Sequence, residues 1–382
     1  MRTLVIWGAG RIGRGFVAPM FLEGGWNVFF VDIDKTLVDR LNERKGYTIL
    51  RADKNGIVSE RIEGGFKALH TSQTEALNEL FGLDGLMLDI AVHEPELSAA
   101  ADMIAPLIEH RAGSCALYMD IMMNVNMASP DEAFIRMMDE RLKGESLAYF
   151  HDRVGVTGIA AMCISPVAPA EELIKDPLTL INNNWPEQAI GLPQLKGIPV
   201  DLPRIRLTDN VHAEETRKLY TLNMAHAVCS YLGIPEGHST VIDVMRDGRL
   251  RDTVTKAILE ASEGLIKAYG FDENVMKGWP GKILDLLDNP WINDDLPRLG
   301  ADTRRKLSRF DRLTGPAMLC LEAGGCPVSI AKAIRAGFDF THDDPGTRFV
   351  MDTVKNEGIE AAVETVCGIK AGDDLGKMIL GH

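Results

Sequence analysis

Apolar positions in the first third of the chain fall in short unbroken runs and not in a helical rhythm. The runs are Leu4-Val5-Ile6-Trp7 and Val28-Phe29-Phe30-Val31, with further ones inside Gly85–Val92 and Cys115–Met122. Runs of this length, closed by glycine or acid, predict strands buried on both faces, as in a parallel sheet. Between them Ile12–Gly24 and Leu97–His110 read as helices. Alternating strands and helices predict an α/β, Rossmann-type N-terminal domain. A mixed stretch over Leu147–Pro169 holds Gly155-Val156-Thr157-Gly158 and a proline-rich end. The turn-rich segment Gly191–Pro203 is the expected boundary, dividing 1–203 from 204–382. Past it the spacing lengthens. Asp209–Leu232, Asp247–Tyr269, Thr303–Gly315, Gly315–Glu322, Val328–Gly337 and Arg348–Val366 predict a mostly α-helical C-terminal domain, with loops at Pro280 and Pro290.

The length of 382 residues suits two or three domains. A formal charge of -14, from 41 basic and 55 acidic residues, gives no support to nucleic acid or an anionic membrane as partner. The six cysteines are scattered without CxxC or zinc spacing, so no metal site is expected and a reducing compartment is. No apolar run is long enough to span a bilayer. The chain enters its first strand at once, leaving no room for a cleaved leader, which makes the cytoplasm the expected setting.

Candidate chemistry starts where the first strand ends. In Gly8-Ala9-Gly10-Arg11-Ile12-Gly13, Gly8 suits a tight turn, Gly10 a close approach to pyrophosphate, and Gly13 packing of helix on sheet. The amides at the helix start then face phosphate. Asp32, at the end of the next strand, can accept hydrogen bonds from an adenosine ribose. Its charge, with that of Asp34, would repel a further phosphate, which favours NAD over NADP; the alternative is a carboxylate that only caps the turn. A second group lies on the helix predicted over Asp209–Leu232. With Lys218 at zero, Glu215 falls at about 60°, His226 at about 80° and Asn223 at about 140° around an α-helix. Transfer of a hydride from an alcohol carbon needs a proton acceptor and donors for the oxygen. Lys218 suits the first role and Asn223 and His226 the second, with Glu215 positioning Lys218 or passing its proton outward. A solvated amphipathic face carrying the same residues is the alternative.

The extended glycine motif Gly8–Phe16, the junction Leu207-Thr208-Asp209-Asn210, the Lys218, Asn223 and His226 pattern, Gly237-His238-Ser239-Thr240, Arg304-Arg305-Lys306-Leu307, Asp311-Arg312-Leu313 and Asp343-Asp344-Pro345 come in that order. In these the chain resembles the polyol-specific long-chain dehydrogenases over essentially its whole length. The resemblance implies an active site between two domains, no metal, and NAD-dependent interconversion of a sugar alcohol and a ketose. In the phosphate-acting branch the pair is D-mannitol 1-phosphate and D-fructose 6-phosphate. It makes Lys218 the general base and Asn223 and His226 contacts to substrate oxygen. His238, Arg304 and Arg305 are candidate substrate contacts, the arginines with Lys306 for phosphate. Similar enzymes are often monomers. The chain also departs from the family. Where the family has an oxyanion-binding asparagine after a strand, Met119-Asp120-Ile121-Met122 puts Ile121, which donates no hydrogen bond; Asn124 or Asn126 would replace it if the loop takes another path. Met162-Cys163 stands for an Asp-Arg pair, Ile242 for an arginine, and Ile90–His93 for an Ala-Val-Gly turn.

Overall fold

The computed structural model describes residues 2–127, 129–185, 187–197, 200–292 and 294–381. Ile198 and Pro199, inside the expected boundary segment, lie outside the described residues. The chain forms two compact units, Met1–Ala52 with Ile57–Glu215, and Asp53–Gly56 with Thr216–His382.

Among the described residues the first unit is built on eleven strands: β1 (Thr3–Trp7), β2 (Asn27–Asp32), β3 (Gly46–Asp53), β4 (Gly56–Glu63), β5 (Phe66–His70), β6 (Leu86–Ile90), β7 (Met119–Met123), β8 (Val154–Ala161), β9 (Leu180–Asn183), β10 (Gln188–Gly191) and β11 (Ile205–Thr208). Eight make one sheet in the order β11-β10-β8-β7-β6-β1-β2-β5, and β4-β3-β9 make a second. From β5 to β8 the neighbours in the large sheet are parallel, while β10 runs antiparallel to β8. Residues of β1 alternate between two cores. Val5 and Trp7 join Leu88, Ile121 and the Leu97–Ser114 helix on one face; Leu4 and Ile6 join Phe16, Phe21 and Phe30 on the other. That two-sided burial is why the first runs read as continuous and not alternating. Strand order reverses at β1, with β2 on one side and β6 on the other, which places a ligand crevice at their carboxyl ends.

The second unit is helical. Its longest helix, Gly248–Tyr269, starts on Asp247, whose carboxylate accepts from the amides of Arg249 and Leu250. Several expectations change. The helix expected over Thr303–Gly315 ends at Leu307, and the next begins at Thr314. Pro280 lies inside the Glu273–Leu287 helix and not in a loop: Met276, Trp279, Ile283 and Leu287 recur at helical spacing and are buried, so packing outweighs the missing amide. The stretch 348–366 is not one helix, because Gly358 at φ 88° separates Pro345–Glu357 from Ile359–Ala362. No helix among the described residues is long and apolar enough to cross a membrane.

Candidate active site

The carboxyl ends of β2, β1, β6 and β7 bring a row of residues into register. Trp7 pairs with Val31 and Ile90, and Ile90 with Met123. The next residue continues each ladder: Gly8 N–H donates to Val31 O at 2.8 Å, Ala91 to Trp7 O at 2.8 Å, and Asn124 to Ile90 O at 2.8 Å. Gly8 sits at φ 104°, and a Cβ there would come within 2.5 Å of the Ala91 carbonyl. A Cβ on Gly13 would strike Gly8 O and Ile6, so the helix is seated directly on the turn. Nothing of the protein lies within 4 Å of where a Gly10 Cβ would be. The loop is therefore closed against the sheet at its two ends and open at its middle glycine, the cradle that a pyrophosphate fits.

Asp32 is half-buried at this edge. One carboxylate oxygen accepts the Ala9 N–H at 2.7 Å and the other the Asp34 N–H at 2.8 Å. It thus caps the turn, and each oxygen still has a lone pair for a ribose hydroxyl. Arg11 and Gly10 are exposed, whereas Ile12 is half-buried. Arg14 is buried and braces the loop: its guanidinium donates to Ala9 O at 2.6 Å and to Leu178 O at 3.0 Å. Burial holds its pKa below the ordinary value, against the pull of Tyr47 and Asp32.

Ile121 sits mid-strand in β7, paired with Leu88 and Val156 and fully buried in the core, where it meets no ligand. The residue at the strand's carboxyl end is Asn124, because β7 starts only at Met119 and not at Cys115. Its side-chain amide points to Asp89 Oδ1 at 3.5 Å. Asp89 is fully buried on β6, and burial pushes its carboxyl up to about 8, opposed by Asn124. Its Oδ2 has no hydrogen-bond partner among the described residues. Of the other departures, Cys163 accepts weakly from the Asn182 amide at 3.4 Å, Ile242 is half-buried, and His93 is exposed.

Further along, the chain runs from the Val211–Lys218 helix through a π turn, Leu219–Asn223, into the Met224–Gly233 helix. A π turn holds one residue more than an α turn and sets back the phase of every later residue by about 100°. Asn223 then falls at about 40° from Lys218, and His226 at about -20°. The sequence's i, i+5, i+8 spacing thus becomes the i, i+4, i+7 stripe of an ordinary helix. Lys218, Asn223 and His226 are half-buried along it, while Tyr220, Leu222, Met224, Ala225 and Ala227 are buried. The turn has a local cause. Thr221 Oγ1 donates to Arg217 O at 2.6 Å, supplying the carbonyl that the shifted ladder leaves, and accepts the Trp279 indole N–H at 3.0 Å.

Around His226 stand Asp294, Arg298, Arg312 and Lys306. Burial holds the His226 pKa well below its ordinary value; the three cations add to this and Asp294 opposes it, so the ring is neutral at pH 7. Arg298 pairs with Asp294, and Lys306 donates to Ala301 O. Lys306 is buried, and burial, followed by Arg312 and Arg305, pushes its pKa down to about 7 against Asp302 and Asp311. Its neighbours in sequence face outward. Arg304 is exposed and stacks on Phe349 at 3.9 Å; Arg305 is exposed and pairs with Asp302 at 2.5 Å and Asp311 at 3.4 Å. The buried cations here are Lys306 and Arg312, whereas Arg298 is 63% exposed, and sequence reasoning had no signal for Arg298. His238 is elsewhere, 3.6 Å from Asp247 at a helix start. Glu215 belongs to the first unit, and Gly158 of β8 makes room for its carboxylate, which a Cβ would strike. No group of three His, Cys, Asp or Glu able to hold a metal occurs among the described residues.

Comparison with known proteins adds a family. The model described as the mannitol dehydrogenase Rossmann domain matches residues 2–197, and that of the mannitol dehydrogenase C-terminal domain matches 210–371. Two solved structures share the fold at low identity. A D-sorbitol dehydrogenase in substrate-free form is 15% identical with TM-score 0.80, over 99% of this chain and 91% of that one. The Pseudomonas fluorescens mannitol 2-dehydrogenase, in ternary complex with NAD and D-mannitol, is 14% identical with TM-score 0.74, over 96% and 86%.

Proposed function

Because the chain belongs to the mannitol dehydrogenase family, as an NAD-dependent oxidoreductase of polyol or sugar substrates, we propose that it interconverts a polyol phosphate and a ketose phosphate, D-mannitol 1-phosphate and D-fructose 6-phosphate before others. The observation that carries this reading is the stripe of Lys218, Asn223 and His226, set beside the buried cations Lys306 and Arg312. The Gly8–Gly13 loop, with Ala9, Gly10, Arg11 and Ile12 between its end glycines, would hold the pyrophosphate, and Asp32 the adenosine ribose. NAD supplies the hydride acceptor when bound.

Lys218 takes the hydroxyl proton as the carbon gives up its hydride, and returns it when the ketose is reduced. Asn223 donates to the reacting oxygen, and Asn124, not Ile121, is the second donor. Neutral His226 can donate to one substrate hydroxyl and accept from another. Lys306, Arg298 and Arg312 take the phosphate, in the role that sequence alone suggested for Arg304 and Arg305.

The test is NADH formation, followed by absorbance, across mannitol 1-phosphate, glucitol 6-phosphate, mannitol, arabitol and altronate, with Lys218→Ala and Asn124→Ala alongside. Expected are turnover of the phosphorylated polyols alone, its loss in Lys218→Ala, and a fall of about 100- to 1000-fold in Asn124→Ala, the usual effect of losing an oxyanion donor. Turnover of an unphosphorylated polyol would keep the mechanism and replace the substrate. NAD binding without turnover of any of them would overturn the reading.

A further inference from the structure

Strand β6 is apolar except at Asp89. Asp89 pairs with Ile6 of β1 and Met122 of β7. Those two residues, and Met87 two places before Asp89, belong to the core around Phe16 and Phe30, so strand alternation puts the Asp89 side chain on that face. It is fully buried there, and Oδ2 has no hydrogen-bond partner among the described residues. An unpartnered polar atom in an apolar core weakens a fold, and a small apolar side chain would serve this strand better. A residue that breaks the local rule beneath a ligand crevice points to a task outside stability.

What Asp89 touches sets that task. Its Oδ1 accepts from the side-chain amide of Asn124 at 3.5 Å. Asn124 follows Met122 by two residues, which places it on the same face one step nearer the crevice. Its backbone N–H is held by Ile90 O at 2.8 Å. With the backbone held, the remaining freedom is which end of the amide faces the reacting oxygen. The NH2 end donates, whereas the carbonyl end would repel the charge that develops on that oxygen. We propose that Asp89 is the positioning residue for Asn124, engaging one amide N–H so that the other is turned towards the substrate. The proposal rests on Asn124 being the second donor. At 3.5 Å the bond is long, so it biases a direction and adds little to stability. Burial raises the Asp89 pKa to about 8, so at pH 7 Oδ2 carries the proton and Oδ1 serves as a carbonyl acceptor.

Two measurements on the full chain test this. In the first, turnover of the polyol that the wild type accepts is read for Asp89→Val, Asp89→Asn, Asn124→Ala and the double variant Asp89→Val with Asn124→Ala, and denaturant unfolding is followed alongside. Asp89→Val removes the acceptor. It should lower kcat about three- to tenfold, the worth of one modest hydrogen bond, with KM for NAD held and the unfolding midpoint held or raised. Asp89→Asn keeps a carbonyl acceptor and should recover most of that loss. In the double variant kcat should fall no further than in Asn124→Ala, because the partner through which Asp89 acts is gone. Wild-type kcat in Asp89→Val, or an equal loss whether or not Asn124 is present, overturns the positioning role. Wild-type turnover by Asn124→Ala overturns the donor reading instead. The second needs no substrate: the Asn124 side-chain amide nitrogen is followed by NMR against pH in the wild type and in Asp89→Asn. It should move with a midpoint near 8 in the wild type and stay still in Asp89→Asn, which cannot ionise. An amide that does not move in the wild type overturns the proposal whichever polyol is turned over.

Discussion

On the proposed reading, a single buried lysine gives phosphate recognition a pH signature. Lys306 titrates at about 7, so in mildly alkaline solution much of it is neutral before any anion arrives. A phosphate dianion beside it favours the charged form, and binding must then take up a proton. KM for a phosphorylated polyol should therefore rise between pH 7 and 9, by at most about tenfold per unit, and Lys306→Met should flatten that rise while raising KM at pH 7. A flat KM in the wild type would separate Lys306 from the phosphate. Lys218, Asn223 and His226 were singled out in the sequence because residue types suited to one reaction recur there at fixed spacing. Lys306 could not be told from Arg304 and Arg305, since three adjacent cations on a five-residue helix give no phase from which to tell inside from outside. Asn124 stood in the sequence only as an alternative beside Asn126, because the strand boundary was misplaced: residues from Ala116 to Tyr118 read as strand although Ala116 takes φ 49° and Leu117 and Tyr118 are exposed.

Among the elements, the π turn at Leu219–Asn223 decides which side chains share a face. Thr221 holds it through two hydrogen bonds made where the residue is wholly buried. Thr221→Val keeps the shape but leaves the Trp279 indole without this acceptor. The expected cost is about 1–3 kcal/mol, the usual penalty for a buried unpaired polar group, read by denaturant unfolding. Turnover should fall by more than stability accounts for, because Asn223 and His226 lose their fixed phase. A loss of stability with kcat unchanged would show that the turn serves only the fold. Ideal α geometry could not disclose this turn, and it spread the three residues over a broad face. The glycine loop was legible as a strand, a turn with positive φ and a helix start, although the π segment Gly13–Val17 at that start left no mark. β3 and β4 left little: β4 alternates exposed and half-buried residues with charges among them, and no apolar run announces it. Pro280 misled for the opposite reason, since tertiary packing overrides a local breaker.

For the molecule as a whole, Asp89 ties stability to pH. Its carboxyl titrates at about 8 in the folded chain against 3.8 ordinarily. Between those values the folded state keeps a proton that the unfolded state has lost. Stability is then fully present below about pH 4 and falls as pH rises towards 8, by at most about 1.4 kcal/mol per unit, levelling off above. Asp89→Asn cannot ionise, so its melting temperature should exceed that of the wild type by a margin that grows from pH 5 to pH 8.5. A constant margin would mean that Asp89 does not carry this proton.

The bulged helix has a bearing on inherited change. A π turn is, in register, one residue more than the helix around it needs. Substitutions can alter what Lys218, Asn223 and His226 present, but no single substitution removes a residue. Loss of one codon between Lys218 and Asn223 would let the turn close to ordinary α geometry, with the two later side chains still at about 40° and -20° from Lys218. Gain of a codon there would swing both by about 100°, so the stripe's phase survives a one-residue deletion and not a one-residue insertion.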